Sequence, residues 1–111
     1  MNILVMDYVG DRAIDMKQGN QIYAMILEGF EKKEVVHVDF LGMKTVLSTF
    51  LNNAIGTLYK DYTSEYLNSN LKIDHLCDDD MFILRRVTTR AKEFYSHPQI
   101  VSDILNTEYS E

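Results

Sequence analysis

The chain reads as an α/β domain, a small, mostly parallel sheet of roughly three or four strands in βαβαβα order with helices packed on it. Three observations predict this. The β-branched run Val35-Val36-His37-Val38-Asp39-Phe40 is uninterrupted, as in a strand covered on both faces. Leu47, Phe50, Leu51, Ala54, Ile55, Leu58 and Tyr59 follow helical spacing without a gap. Shorter apolar runs and other helix-period stretches alternate with these two, which is the pattern of strand–helix–strand units.

The elements follow in order. Residues 3–9 form a short apolar run and read as a buried strand, broken by Gly10-Asp11-Arg12. Ala13-Ile14 extend the chain briefly. Asp15 and Gln18 stand at capping-box spacing, each able to satisfy an end group of the helix behind them. Gly19, Ile22, Tyr23, Ile26, Leu27 and Phe30 then mark a helix over residues 16–32. Glu31-Lys32-Lys33-Glu34 is a charged connection to the central strand at 35–40, which Gly42 ends. The next helix covers 47–59, with Thr45 or Ser48 as its cap.

Residues 61–70 are polar, with one helical turn around 64–68. Residues 71–76 alternate and read as an edge strand. Asp78-Asp79-Asp80 open the last long helix, where acids complement the positive end of the dipole and Arg85, Arg86, Arg90 and Lys92 follow. Its Leu84, Val87, Ala91, Phe94 and Tyr95 are expected to face the sheet. His97-Pro98 stops it, a further turn is expected over 100–105, and the tail beyond reads as frayed.

The 111 residues suit a single domain, with a core over 3–98 and a C-terminal extension over 99–111. The net charge of −6 disfavours non-specific binding to nucleic acid or to an anionic membrane surface. No apolar run has the length of a membrane span, and the start Met1-Asn2-Ile3-Leu4 lacks the basic head of a signal peptide. A lone Cys77 cannot close an intrachain disulfide, so a cytoplasmic, reducing location is expected. No repeat, linker or low-complexity segment interrupts the chain.

The candidate site is the outward face of the 47–59 helix. Ser48, Thr49, Asn52, Asn53, Gly56 and Thr57 form it, and Lys60 is its first charge. Several of these are poor helix formers, and a face needing only solubility would carry Glu, Lys and Gln. Such a small, uncharged face suits close approach by a protein partner, or burial under another part of the same chain. Ser48 and Thr49 read as phosphoacceptors, where phosphate gains from free backbone N–H groups, or as ordinary capping hydroxyls.

Other residues carry weaker signals. Asp78-Asp79-Asp80 lack the spacing of a calcium loop and read as helix capping. His37, His75 and His97 stand in no zinc-ligand spacing with one another or with Cys77, so no metal is expected. His75 and Cys77 share a strand face but lack an oxyanion loop, so a nucleophile pair is not assembled. Gly10 and Gly19 make neither a dinucleotide fingerprint nor a phosphate loop, and no cofactor is expected. Arg85, Arg86 and Arg90 form one basic stripe, a solvated face or a phosphate contact.

These residues resemble a known family, the bacterial STAS-like domains of unknown function, relatives of the anti-sigma-factor antagonist (STAS) domains. The likeness rests on Asp39, Phe40 and Gly42, close to the family's Asp-Phe-x-Gly-Val strand end, and on Leu47-Ser48-Thr49-Phe50 with Gly56 beyond. Gly19 and Ala91-Lys92-Glu93-Phe94-Tyr95 add to it, over residues 3–98. The resemblance implies helices over a sheet, no catalytic activity, and docking to a histidine-kinase-like ATPase. That kinase phosphorylates a hydroxyl at the start of the helix after the central strand, a position that falls on Thr49 with Ser48 before it. Leu47 stands where antagonists carry an acid, and Phe50 where they carry glycine.

The reading is therefore a non-catalytic interaction domain, with its apolar side spent on its own core and its uncharged side left for a partner. A homo-oligomer is compatible with it. The alternative is a small-ligand or nucleotide-binding module, which requires a pocket near the strand ends.

Overall fold

The computed structural model describes residues 1–96. The sequence-based expectations beyond them (the Pro98 stop, the 100–105 turn, the extension) lie outside the described residues, as does His97.

Period-two alternation lays out the sheet. Strands β1 (Asn2–Leu4), β3 (Val36–Asp39) and β5 (Leu71–Asp74) are parallel, in the order β1-β3-β5. Ile3, Val36 and Val38 point into the core and are fully buried. The intervening His37 and Asp39 are only half-buried. The central strand is thus covered on one face and not on two, a correction to the reading of 35–40. Its first residue, Val35, lies outside the strand and is exposed.

The run 3–9 is corrected as well. After Leu4 the chain turns into a short helix α1 (Val5–Val9), closed by Gly10 at φ 78°. Val5 is buried and Val9 packs against the core. They stand four residues apart, a spacing that an alternating strand and a helix both satisfy, so the sequence pattern does not separate the two.

A second pair of strands, β2 (Arg12–Ala13) and β4 (Thr45–Val46), runs parallel in the register Arg12↔Thr45 and Ala13↔Val46. Both are too short to carry a period. Between β2 and β3 runs α2 (Met16–Glu31), with the expected capping box. Gln18 N–H donates to Asp15 Oδ1 at 2.9 Å, and Gln18 Oε1 accepts from Asp15 N–H at 3.2 Å. Ile22, Ile26 and Phe30 give it a buried stripe against the sheet and α3.

The expected helix 47–59 divides in two, α3 (Ser48–Ala54) and a 3₁₀ turn, Gly56–Lys60. The Thr57 hydroxyl donates back to the Asn53 carbonyl at 2.6 Å, a bond that competes with the helical ladder. The apolar stripe persists through the break, with Phe50, Leu51, Ala54, Ile55 and Leu58 all buried.

Helix α4 (Ser64–Asn70) is capped by the Thr63 hydroxyl, which accepts from Tyr66 N–H at 3.1 Å. Tyr62 and Tyr66 pack edge-on to Phe30, with ring centroids 5.0 and 5.2 Å away. Helix α5 (Asp78–Ser96) buries Leu84, Val87 and Ala91. It packs on α3 and the 3₁₀ turn rather than on the sheet, and Phe94 stays exposed. α2 packs on β3 and α3 packs on α2, so α5, seated on α3 and the 3₁₀ turn, forms an outer layer. Among the described residues no helix is long and apolar enough to cross a membrane.

Candidate functional site

The site begins where β4 hands over to α3. Leu47 N–H donates to the Ala13 carbonyl at 2.9 Å, which pins the helix start to β2. Leu47 itself occupies the cap position in extended conformation and offers no side-chain acceptor. Ser48 and Thr49 therefore do not cap α3. Neither does Thr45, which lies in β4. Both Ser48 and Thr49 are exposed. The hydroxyl hydrogen bonds of the described residues belong to Thr57, Thr63, Thr88 and Ser96, so both candidate phosphoacceptors are uncommitted.

The two hydroxyls border a groove of about 380 Å³ between α3 and α5. Ser48, Thr49 and Asn52 line one wall, and Ile83, Arg86 and Arg90 the other. Arg86 and Arg90 are four residues apart on α5, so they share a helix face. The ion pairs of the described residues are Lys32–Glu28, Lys44–Asp11, His37–Asp74 and His75–Asp39, and neither arginine takes part.

The rest of the predicted partner face divides among three surroundings. Asn52 and Lys60 are exposed. Asn53 turns to α2, where its Nδ2 donates to Asn20 Oδ1 at 3.0 Å and lies 3.4 Å from the Met16 carbonyl. Gly56 is buried beneath α5, where an added Cβ would stand 3.4 Å from Val87 Cγ1. Thr57 is half-buried. The expectation of one continuous free face is corrected accordingly. The small residues let α2 and α5 close in on α3, leaving Ser48, Thr49, Asn52 and Lys60 at the surface.

Asp39, Phe40 and Gly42 build the turn that leads into this site. Asp39 Oδ1 accepts from Leu41 N–H at 3.0 Å. Phe40 is buried, its ring edge-on to Phe50 at 6.4 Å. Met43 N–H donates to the Phe40 carbonyl at 3.1 Å while Gly42 takes φ 82°, a conformation that L side chains rarely adopt.

A feature missed from sequence lies on the bare face of the sheet. His37 Nδ1 meets Asp74 Oδ2 at 2.9 Å, and His75 Nδ1 meets Asp39 Oδ1 at 2.8 Å. An ionised carboxylate only accepts, so each Nδ1 carries the proton. The hydrogen bond from His75 holds the Asp39 carboxyl below its ordinary value, aided by the Leu41 N–H and opposed by partial desolvation. Asn2, Asp7, Tyr8, His37, Asp39 and Asp74 border a hollow of about 480 Å³ at this face. The usable signal was the alternation of Val36 and Val38 with His37 and Asp39.

Cys77 is exposed with a free thiol, and His75 is turned to Asp39. Among the described residues no group of three or more His, Cys, Asp or Glu could hold a metal ion.

A one-sided parallel sheet, a helical layer over it, and a turn-plus-helix site after the central strand define a small α/β domain of STAS-like class. The model of the family described as STAS-like domain of unknown function (DUF4325) matches residues 18–81, and the chain belongs to that family. The matched span runs from the capping-box Gln18 through Asp39, Phe40, Ser48 and Thr49 into the first turn of α5. No curated protein and no solved structure matches the chain.

Proposed function

We propose that this domain is a non-catalytic interaction switch of the reducing cytoplasm, docking a protein partner through the surface at Ser48, Thr49, Asn52 and Lys60. The partner is an ATPase of the histidine-kinase-like type that phosphorylates Thr49 or Ser48. The single observation that carries this reading is that both hydroxyls are open to solvent and free of any capping role. A phosphate there brings about −1.5 to −2 charges to a surface with little charge of its own on α3, enough to change which partner is tolerated.

Partner capture by the full chain tests it. A binding partner held by the wild type is expected to be lost from Thr49→Glu and from Asn52→Arg, both at exposed positions. Retention of every partner by both variants would overturn the proposal.

The small-ligand reading draws its support from the hollow at the strand ends. Its Asp7, Asp39 and Asp74 repel phosphate, so it favours a cationic or neutral ligand over a nucleotide. Thermal stabilisation by such a ligand and not by ATP would be its signature.

A further inference from the structure

We infer that Arg86 and Arg90 form a clamp for a phosphate monoester carried by Thr49 or Ser48 of the same chain. The inference rests on the phosphoacceptor reading above and adds what happens to the phosphate once it is there. Both arginines border the groove that Ser48 and Thr49 border. They are exposed, share one face of α5, and have no carboxylate partner among the described residues. On a chain of net charge −6, two guanidiniums without a carboxylate partner among the described residues, beside two hydroxyls that make no hydrogen bond among them, form a local positive site. Guanidinium binds phosphate oxygens through two parallel N–H donors, so a pair can engage the ester from one side. Both arginines lie beyond the span matched by the family model, residues 18–81.

The chemistry needs a nucleoside triphosphate and a kinase as co-reactants. The hydroxyl oxygen forms a bond to the γ-phosphorus, and the bond from that phosphorus to the β–γ bridging oxygen breaks. The nucleoside diphosphate leaves with the electron pair, and the hydroxyl proton passes to a base on the kinase. The dianionic ester then faces two positive charges across the groove. The local charge goes from about +2 without phosphate to near zero with it. In consequence, the unmodified surface offers two free guanidiniums to an acidic partner, and phosphorylation withdraws them.

The full chain carrying phosphothreonine at position 49, or phosphoserine at 48, is prepared by expressed ligation. The ester is then titrated by ³¹P NMR. Paired guanidiniums favour the dianion, so the second ionisation, ordinarily near pKa ~6, is expected to fall by roughly 0.5–1 unit in at least one of the two chains. The shift is expected to vanish in Arg86→Gln/Arg90→Gln and to return in part in Arg86→Lys/Arg90→Lys. Equal titration curves in all three backgrounds, for both esters, would overturn the clamp. Inorganic phosphate is titrated into the unmodified chain in parallel. Arginine-dependent binding of that free ion, with esters that titrate normally, would assign the groove to an external anion and also overturn it. The ester is installed chemically, so this result does not depend on any kinase or partner, and failure of the docking proposal is separately visible in partner capture.

Discussion

Gly19 on α2 lies directly against Phe50 on α3: a Cβ at residue 19 would stand 2.7 Å from the Phe50 carbonyl oxygen and 2.7 Å from Asn53 Cβ. The two helices that carry the core and the candidate site meet at this one position without a side chain. Gly19→Ala is expected to destabilise the domain. Helix propensity favours alanine by ~1 kcal/mol. Overpacking against a backbone carbonyl costs about 1–3 kcal/mol, and the helices cannot separate without opening the core. Urea denaturation should show a lower midpoint, and an unchanged or higher one would refute the close approach.

Asn52 and Asn53 are adjacent in sequence and differ in fate. Asn52 is exposed, whereas Asn53 is hydrogen-bonded to Asn20 across the α2–α3 contact. Asn53→Arg is expected to cost about 1–3 kcal/mol by overpacking. Asn52→Arg should stay within about 0.5 kcal/mol of the wild type. Thermal melts of the two variants decide the matter, and equal melting temperatures would contradict the placement of Asn53. For the same reason, position 52 and not 53 is the clean probe of docking.

The two phenylalanines at opposite extremes of burial make a third prediction. Phe50 is fully buried, and Phe82 is 61% exposed. Phe50→Ala should lose about 3–5 kcal/mol, because the cavity sits between α2, the sheet and Phe40. Phe82→Ala should change stability by less than about 0.5 kcal/mol. A comparable loss from both, measured by calorimetry or denaturant titration, would mean that α5 does not sit with Phe82 outward.

The Asp39–His75 contact predicts an acid limb. The folded-state pKa of Asp39 is lowered, first by the His75 hydrogen bond. Its contribution to stability is therefore fully present above the unfolded carboxylate value of about 3.9 and is lost as pH falls through the lower folded value. A ¹³C titration of the Asp39 carboxyl should show a midpoint below the ordinary one, rising in His75→Ala. A midpoint that His75→Ala leaves in place would remove the hydrogen bond as its cause.

Much of the fold was legible because its signals are local. The Asp15–Gln18 box, the stripe from Ile22 to Phe30 and the Phe50–Leu58 stripe each need only their own neighbours in sequence. The same holds for the alternation of strands and helices along the chain and for the STAS-like resemblance, carried by short motifs around Asp39-Phe40 and Ser48-Thr49 that fall within the matched residues 18–81.

What tertiary structure decided was where the remaining faces went. Val5 and Val9 fit strand and helix alike, and the packed core chose the helix. Residues 35–40 read as doubly covered, yet only Val36 and Val38 of β3 face the core, and His37 and Asp39 pair instead with Asp74 of the neighbouring strand β5 and with His75 just beyond it. Gly56 looked outward until α5 closed over it, and Arg86 became a neighbour of Ser48 by the same step. Periodicity tells which residues share a face, because that depends on the rise and twist of one element. It does not tell what the face meets, because that depends on segments dozens of residues away whose docking is set by shape and by the burial of apolar area over the whole domain.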